Sequence, residues 1–272
     1  LQETVVRNMP FCDEFIIVTK ESYRNIVNGQ MKAFQSLKYR VVLEGSPKGT
    51  AAAIMLGSQF CNQSELVFVV TADNLIEGQE YKDAILRAKE LAKQGSIVAL
   101  GVKPAKKNSN FGYLLRDEEN VLKFIEKIRL DDDESFGYDD GFLWNSGMFL
   151  YRAGDLINAA RAICPELYDT CRMAKRKVAA IRRTVRFSQK VMKDIPQGSI
   201  ERLIFEKLKN MKVVETAFRW KDVGNVCDLD ENSSVSHSEN VLKNHCEDVM
   251  VINSADRQLV VTNDIQDVVV VN

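Results

Sequence analysis

Asn145 stands in the run Phe142-Leu143-Trp144-Asn145-Ser146-Gly147-Met148-Phe149-Leu150, where Asn-Ser-Gly interrupts an apolar strand pattern. Its amide offers a hydroxyl both a donor and an acceptor, and Gly147 lets backbone approach a ligand closely. That combination suits a polyhydroxylated ligand such as a sugar, although a strand with a tight bend reads the same way. Three further strand-end motifs accompany it: Val69-Val70-Thr71-Ala72-Asp73, Phe124-Ile125-Glu126-Lys127 and Trp220-Lys221-Asp222-Val223-Gly224. Ligand residues of α/β sheets sit at strand ends of this kind, so the four motifs point to one site at the carboxyl edge of a sheet.

Each motif admits a chemistry and a structural alternative. Asp73 and Asp222, from separate strands, could hold Mg2+ through oxygen and so neutralise phosphate charge as a bond breaks. Asp73 with Asn74 beside it also fits a simple turn. Glu126 can accept two sugar hydroxyls and Lys127 can pair with a phosphate, but exposed Glu-Lys pairs are common. Glu44 to Ile54 joins a strand end to a helix start, with Thr50 as the expected N-cap and Lys48 beside a helix N-terminus that can hold an anion or a base edge. The alanines that begin at Ala51 permit tight packing under a flat ring, and an ordinary β–α turn is the alternative. No Ser-His-Asp or Cys-His arrangement stands out, since His237 and His245 both lie late in a polar region. A hydrolase with a protein nucleophile is therefore disfavoured.

The elements that must position these groups follow from periodicity. Leu1 to Met9 reads as a helix running into a strand, Glu14 to Thr19. Helical spacing follows over Lys20 to Leu37, then a strand at Tyr39 to Leu43 and a small-residue helix at Thr50 to Cys61. Strand Glu65 to Thr71, helix Gln79 to Gln94 and strand Ser96 to Val102 continue the alternation. Continuous rather than alternating apolar strands argue for a parallel sheet covered on both faces. Gly112 to Arg116, Val121 to Glu126 and Leu143 to Tyr151 are strands without long helices between them, an expected mixed or antiparallel extension, with a surface loop at Asp131 to Asp140. Ala153 to Ile181 and Ser199 to Leu208 read as helices and Met211 to Phe218 as a strand. After the polar stretch Asp228 to Glu239, short strands suggest a small β appendage. The expected domains are 1–226, a catalytic domain, and 227–272, a β-rich tail that could begin a β-helix.

Composition narrows the class. The chain has 272 residues, is 45% hydrophobic and carries a net charge of −1, which argues against nucleic acid or an anionic membrane as the main partner. The basic run Arg172 to Arg186 reads as a solvated helix face, with a polyanion site as the alternative. No apolar run reaches the ~20 residues that cross a bilayer, and no signal peptide is visible. Six cysteines without C-x-x-C spacing read as reduced thiols of a cytoplasmic protein.

As a set, the motifs resemble the mannose-1-phosphate guanylyltransferase family of the sugar-nucleotidyltransferase superfamily. The matching pieces are Glu44-x3-Lys48-Gly49-Thr50-Ala51-Ala52-Ala53-Ile54, Thr71-Ala72-Asp73, Phe111-Gly112-Tyr113, Phe124-Ile125-Glu126-Lys127, Trp144-Asn145-Ser146-Gly147-Met148-Phe149, Ser199-Ile200-Glu201 and Trp220-Lys221-Asp222-Val223-Gly224. The resemblance implies a Rossmann-like (GT-A-like) mixed sheet flanked by helices, acting on GTP and mannose 1-phosphate to give GDP-mannose and pyrophosphate. Glu44, Lys48, Thr50 and Ala51 would contact the nucleotide. Gly112, Tyr113, Glu126 and Asn145 would hold the sugar, Lys127 would approach the sugar phosphate, and Asp73 and Asp222 would bind Mg2+. The appended β tail suits a homodimer. The family's Gly-rich phosphate loop is expected to end about where this chain begins. Gly49 and Ala52 stand where the family pattern is Asn-Thr-Ala-Pro-Ala, Asn74 where it has His, and Ile128 where it has Pro. These departures keep two alternatives open: another sugar-1-phosphate nucleotidyltransferase, or a catalytically inactive sugar-nucleotide-binding regulatory homologue.

Overall fold

The structure is a computed structural model, and it describes residues 1–105, 108, 111–125, 141–178, 180–223, 240–247, 249–253, 258–266 and 268–271. The expectations for Glu126, Lys127, Gly224 and the loop at Asp131 to Asp140 lie outside the described residues.

In order, the chain forms α1 (Gln2–Asn8), β1 (Phe15–Lys20), α2 (Arg24–Met31), β2 (Tyr39–Glu44), α3 (Thr50–Ser58), β3 (Leu66–Val69), β4 (Asn74–Glu77), α4 (Glu80–Lys93) and β5 (Ile97–Val102). The middle holds β6 (Tyr113–Asp117), β7 (Asn120–Ile125), β8 (Phe142–Arg152), α5 (Ala153–Ile163), α6 (Pro165–Arg176), β9 (Ala180–Ile181), β10 (Thr184–Phe187), α7 (Gln189–Met192) and α8 (Ile200–Leu203). From Met211 onward the described elements are strands: β11 (Met211–Thr216), β12 (Arg219–Asp222), β13 (Val241–Asn244), β14 (Met250–Ile252), β15 (Val260–Asn263) and β16 (Val269–Val271). Contacts divide the chain into a larger unit, Leu1–Ala72 with Ile76–Trp220, and a smaller one, Asp73–Leu75 with Lys221–Asn272.

The larger unit contains a sheet ordered β1-β2-β10-β9 and a sheet ordered β3-β8-β5-β11-β7-β6. β1, β2 and β10 run parallel, as do β5 and β11, whereas β8 is antiparallel to both β3 and β5. This is the expected mixed α/β architecture, but the alternating strands of the first half do not form the expected parallel sheet: β1 and β2 lie in one sheet and β3 and β5 in the other, where both are antiparallel to β8, which lies between them. Strand alternation sends Ala99, Phe149 and Tyr151 into a core shared with α3, α5 and α6, and Val98, Leu100, Met148 and Leu150 into a second core under α4. Burial on both faces explains why β5 and the end of β8 read as unbroken apolar runs. Ile16 and Val18 of β1 and Val67 and Val69 of β3, the end strands of the two sheets, are half-buried against that first core.

Further expectations are corrected in the local structure. Ala153 to Ile181 is two helices and a strand, because Pro165 opens α6 and forces Cys164 out of helical backbone, to φ −138° and ψ 71°. The basic run is therefore not one helix face: Arg182, Arg183 and Arg186 lie on the β9–β10 hairpin. Asn74 begins β4 and is 4% exposed rather than lying in a turn.

In the smaller unit β13 pairs with β15 and β14 with β16, all parallel. Every pairing joins residues 19 apart, as in Val241 with Val260, Glu247 with Gln266 and Met250 with Val269. His245 and Asp264, at equivalent positions, both take positive φ (49° and 53°), and Asn244 Nδ2 donates to Asn263 Oδ1 at 2.5 Å. These are two successive coils of one winding, an internal repeat that the sequence reading did not find.

Phe149 is 1% exposed and meets Phe205 edge-on at 4.7 Å between ring centroids. Phe149→Ala should lower unfolding free energy by roughly 3–5 kcal/mol, measured by urea denaturation.

Candidate active site

β2 ends in Glu44, in the same row as Lys20 of β1 and Phe187 of β10. The chain then turns into α3 by pressing against the segment ahead of α8. Gly45 N–H donates to the Phe187 carbonyl at 2.7 Å, Gly198 N–H to the Lys48 carbonyl at 2.9 Å and Ala51 N–H to the Gly198 carbonyl at 3.2 Å. Lys48 Nζ donates to the Lys193 carbonyl at 3.1 Å. Gly49 caps α3 at φ 91° and ψ 177°, a conformation that is essentially glycine's own, and a Cβ there would come within 2.4 Å of the Gly198 carbonyl oxygen.

The expectation that Thr50 caps α3 is thereby corrected. The cap is Gly49, and Thr50 is the first helical residue. Its hydroxyl is spent across the fold: Oγ1 accepts from Ile200 N–H at 3.0 Å and donates to Glu201 Oε2 at 3.4 Å. Glu201 is 8% exposed, and its other oxygen accepts from Asn145 Nδ2 at 3.3 Å. One buried carboxylate thus joins the start of α3 to the Asn-Ser-Gly segment of β8. Sequence reasoning quoted Ser199-Ile200-Glu201 but gave Glu201 no role. A lone glutamate in the first turn of a helix reads as a dipole partner, and only its burial against two polar side chains separates it from one.

Asn145 is fixed from three sides. Its N–H donates to the Gly112 carbonyl at 2.8 Å and its Oδ1 accepts from Gly147 N–H at 3.1 Å, in addition to the bond to Glu201. β8 bulges here against β5, between Ala99 and Gly101, and Ser146 Oγ donates to the Leu100 carbonyl at 2.7 Å. Bulges of this kind re-aim side chains. Gly147 has φ 74°, and a Cβ on it would lie 3.3 Å from Thr71 Cγ2. The structure therefore brings together Thr50, Gly112, Asn145 and Thr71. Tyr113 is 3% exposed, and its hydroxyl donates to the Asn108 carbonyl (3.2 Å) and accepts from Asn108 N–H (2.9 Å), which anchors the chain ahead of Gly112. Beside it Phe111 packs edge-on to Trp144 and Trp220 at 5.2 and 5.0 Å.

Glu44 is 7% exposed, and its Oε1 has no hydrogen-bond partner among the described residues. Burial pushes its carboxyl up to about 7, against the pull of the Lys20 ammonium. A carboxyl poised there can donate or accept a hydrogen bond, as recognition of a base edge requires.

In the smaller unit, Val223 N–H donates to the Asp73 carbonyl at 3.2 Å, and Asn74 Nδ2 donates to Asp222 Oδ1 at 3.0 Å. Asp73 and Asp222 are exposed and their backbones adjoin. Two carboxylates with no soft ligand suit a hard divalent cation. Among the described residues no cluster of three or more His, Cys, Asp and Glu side chains is present, so such an ion would complete its shell with water and ligand oxygens, as Mg2+ does.

The nucleotidyl transferase family model matches residues 1–239, and the chain belongs to that family. It is 28% identical to mannose-1-phosphate guanylyltransferase RfbM of Salmonella typhimurium over 89% of this chain and 53% of the relative. It is also 28% identical to mannose-1-phosphate guanylyltransferase of Escherichia coli K12, over 100% of this chain and 61% of the relative. The chain thus spans between half and two thirds of the length of these curated relatives. A Helicobacter pylori crystal structure named mannose-6-phosphate isomerase is 31% identical, with a TM-score of 0.77, and the match covers 81% of this chain and 89% of that one. A Thermus thermophilus structure named mannose-1-phosphate geranyltransferase shares the fold, with a TM-score of 0.75 at 23% identity over 99% and 81% of the two chains. No helix among the described residues is long and apolar enough to cross a membrane.

Two outcomes test the site's electrostatics and backbone. The folded protein holds the Glu44 proton to about pH 7, whereas the unfolded chain releases it near the ordinary 4.5, so this group makes stability fall as pH rises between those values. Glu44→Gln should therefore gain stability relative to the parent between pH 5 and 8, by up to roughly 3 kcal/mol in chemical denaturation. A pH-independent difference would contradict the assignment. Gly49→Ala should cost at least about 2 kcal/mol by the same measurement, from strain at a positive φ and the clash with Gly198.

Proposed function

We propose that the chain is the nucleotidyltransferase portion of a mannose-1-phosphate guanylyltransferase. An oxygen of the mannose 1-phosphate phosphate attacks the α-phosphorus of GTP. A new phosphoanhydride bond forms, the α–β bond breaks, and GDP-mannose and pyrophosphate result. The observation that carries this reading is Glu201, which ties Thr50, at the start of the loop-capped helix, to Asn145, the amide suited to a sugar hydroxyl. The names of the relatives from Salmonella and Escherichia coli supply the substrates.

The residues would act by holding and orienting. Glu44 would read the guanine edge. Lys48, Thr50 and Ala51 belong to the loop and helix start against which the nucleotide would lie. Gly112 and Asn145 would seat the mannose ring, with Tyr113 acting behind Gly112 as a positioning residue. Glu126 would take sugar hydroxyls, and Lys127 would pair with the sugar phosphate. Asp73 and Asp222 would hold Mg2+, which when bound supplies charge neutralisation to the phosphates. No protein nucleophile is needed, because the attacking oxygen comes with the substrate and catalysis reduces to alignment and charge compensation. The setting would be cytoplasmic.

Pyrophosphate release from GTP, mannose 1-phosphate and MgCl2 tests this on the chain as it stands. Release is expected, falling at least 100-fold in Asp222→Ala and at least tenfold when UTP, dTTP or ATP replaces GTP. Glu201→Ala should weaken GDP-mannose binding more than tenfold, because two ligand-holding side chains lose their common anchor. A rise in melting temperature with GDP-mannose but no turnover would identify the binding homologue instead. Because the Helicobacter pylori protein is named for a different reaction, mannose 6-phosphate is assayed in parallel for conversion to its ketose isomer. Isomerisation without pyrophosphate release, or neither release nor a GDP-mannose shift, would overturn the reading.

A further inference from the structure

On the face of β2 opposite α3, a cleft of about 950 Å3 opens between α2 and the β9–β10 hairpin. Register fixes the face. Val42 and Val185 are cross-strand partners and both enter the core under α3, whereas the next pair, Leu43 with Arg186, points the other way. The cleft is therefore separate from the loop of Glu44 to Thr50. Arg24 and Asn28 project from one wall at a helical i, i+4 spacing, Arg182, Arg183 and Arg186 from the other, and Tyr39 forms the floor.

Four guanidinium groups thus face one concavity. Among the described residues the carboxylate paired with them is Glu21, 2.9 Å from Arg186 Nε and 3.9 Å from Arg24 Nη1. Two of the arginines are held in place beforehand. Arg183 lies over the Tyr39 ring at 4.4 Å and donates to the Gln35 carbonyl at 3.0 Å, and Arg186 is braced by Glu21. Converging like charges with one compensating carboxylate among the described residues oppose each other, and a multivalent anion relieves that opposition. Arginine forks match phosphate oxygens in pairs, and oriented arginines lose less freedom on binding. The volume lies within the usual range for small-ligand sites, although the cleft is open to solvent.

We propose that this cleft is a binding site for an oligophosphate anion, carried by a nucleotide or free in solution, and distinct from the substrate-holding residues. The proposal does not depend on the guanylyltransferase reading.

The probe is sodium tripolyphosphate, titrated calorimetrically into the full chain at low ionic strength without divalent cations. Binding is expected to weaken at least tenfold in Arg183→Gln/Arg186→Gln, to strengthen in Glu21→Gln, and to persist unchanged in Thr50→Ala and in Asp222→Ala. All four variants change surface or half-buried groups, and their circular dichroism confirms folding. GTP and ATP titrated in parallel identify the source: tighter binding of the nucleotides marks a nucleotide site, and equal binding a site for the free anion. The proposal is overturned if tripolyphosphate does not bind, if the double arginine variant binds it as well as the parent does, or if an RNA oligonucleotide binds where tripolyphosphate does not.

Discussion

A single buried carboxylate governs the geometry of the candidate site. A buried carboxyl is costly without hydrogen-bond partners, and Glu201, 8% exposed, takes them from two distant parts of the chain, Thr50 and Asn145. That demand explains several local oddities at once. Thr50 gives up the capping role its residue type favours, so Gly49 must cap α3 in a conformation other residues avoid. Asn145 needs the bulge in β8 to aim its amide, and Gly147 supplies the positive φ that follows. A chain of this kind converts two unremarkable motifs into one rigid arrangement, and rigidity is what a transfer between two bound substrates requires.

Much of the fold was legible because burial on both faces writes itself into sequence as unbroken apolar runs. β5 and the later part of β8 announce themselves that way, and the amphipathic spacing of Ala84, Ile85, Ala88 and Leu91 marks α4. What escaped notice did so for physical reasons. β10 alternates buried Val185 and Phe187 with Arg186, but a run so rich in arginine resembles a charged helix surface. Pro165 carried the signal that separated α5 from α6, since proline at the first helical position starts a helix as readily as it stops one. The 19-residue winding of the smaller unit is hard to see because its strands are only three or four residues long and its repeat rests on backbone conformation, at His245 and Asp264, more than on residue identity.

The site itself was half legible. A strand-end motif pointed to Asn145, the strand-to-helix loop to Glu44 and Thr50, and the family resemblance to Gly112; the structure places Thr50, Gly112 and Asn145 within a short chain of hydrogen bonds through Glu201. The uses of individual groups were not legible. A hydroxyl before an apolar run looks like a cap, a tyrosine beside a sugar motif looks like a ligand contact, and only three dimensions show that the Tyr113 hydroxyl is spent on Asn108. Glu44 shows the converse: a carboxylate ordinary in sequence is pushed up to about 7 because the fold buries it, with no hydrogen-bond partner for Oε1 among the described residues.

A double-mutant cycle on GDP-mannose affinity, with Thr50→Ala and Asn145→Ala measured singly and together, is the most direct test of the claim that Glu201 makes one site of two motifs. Coupling of about 1 kcal/mol or more is expected in the parent and should vanish in a Glu201→Ala background. Additive losses in the parent, or coupling that survives removal of Glu201, would contradict the claim.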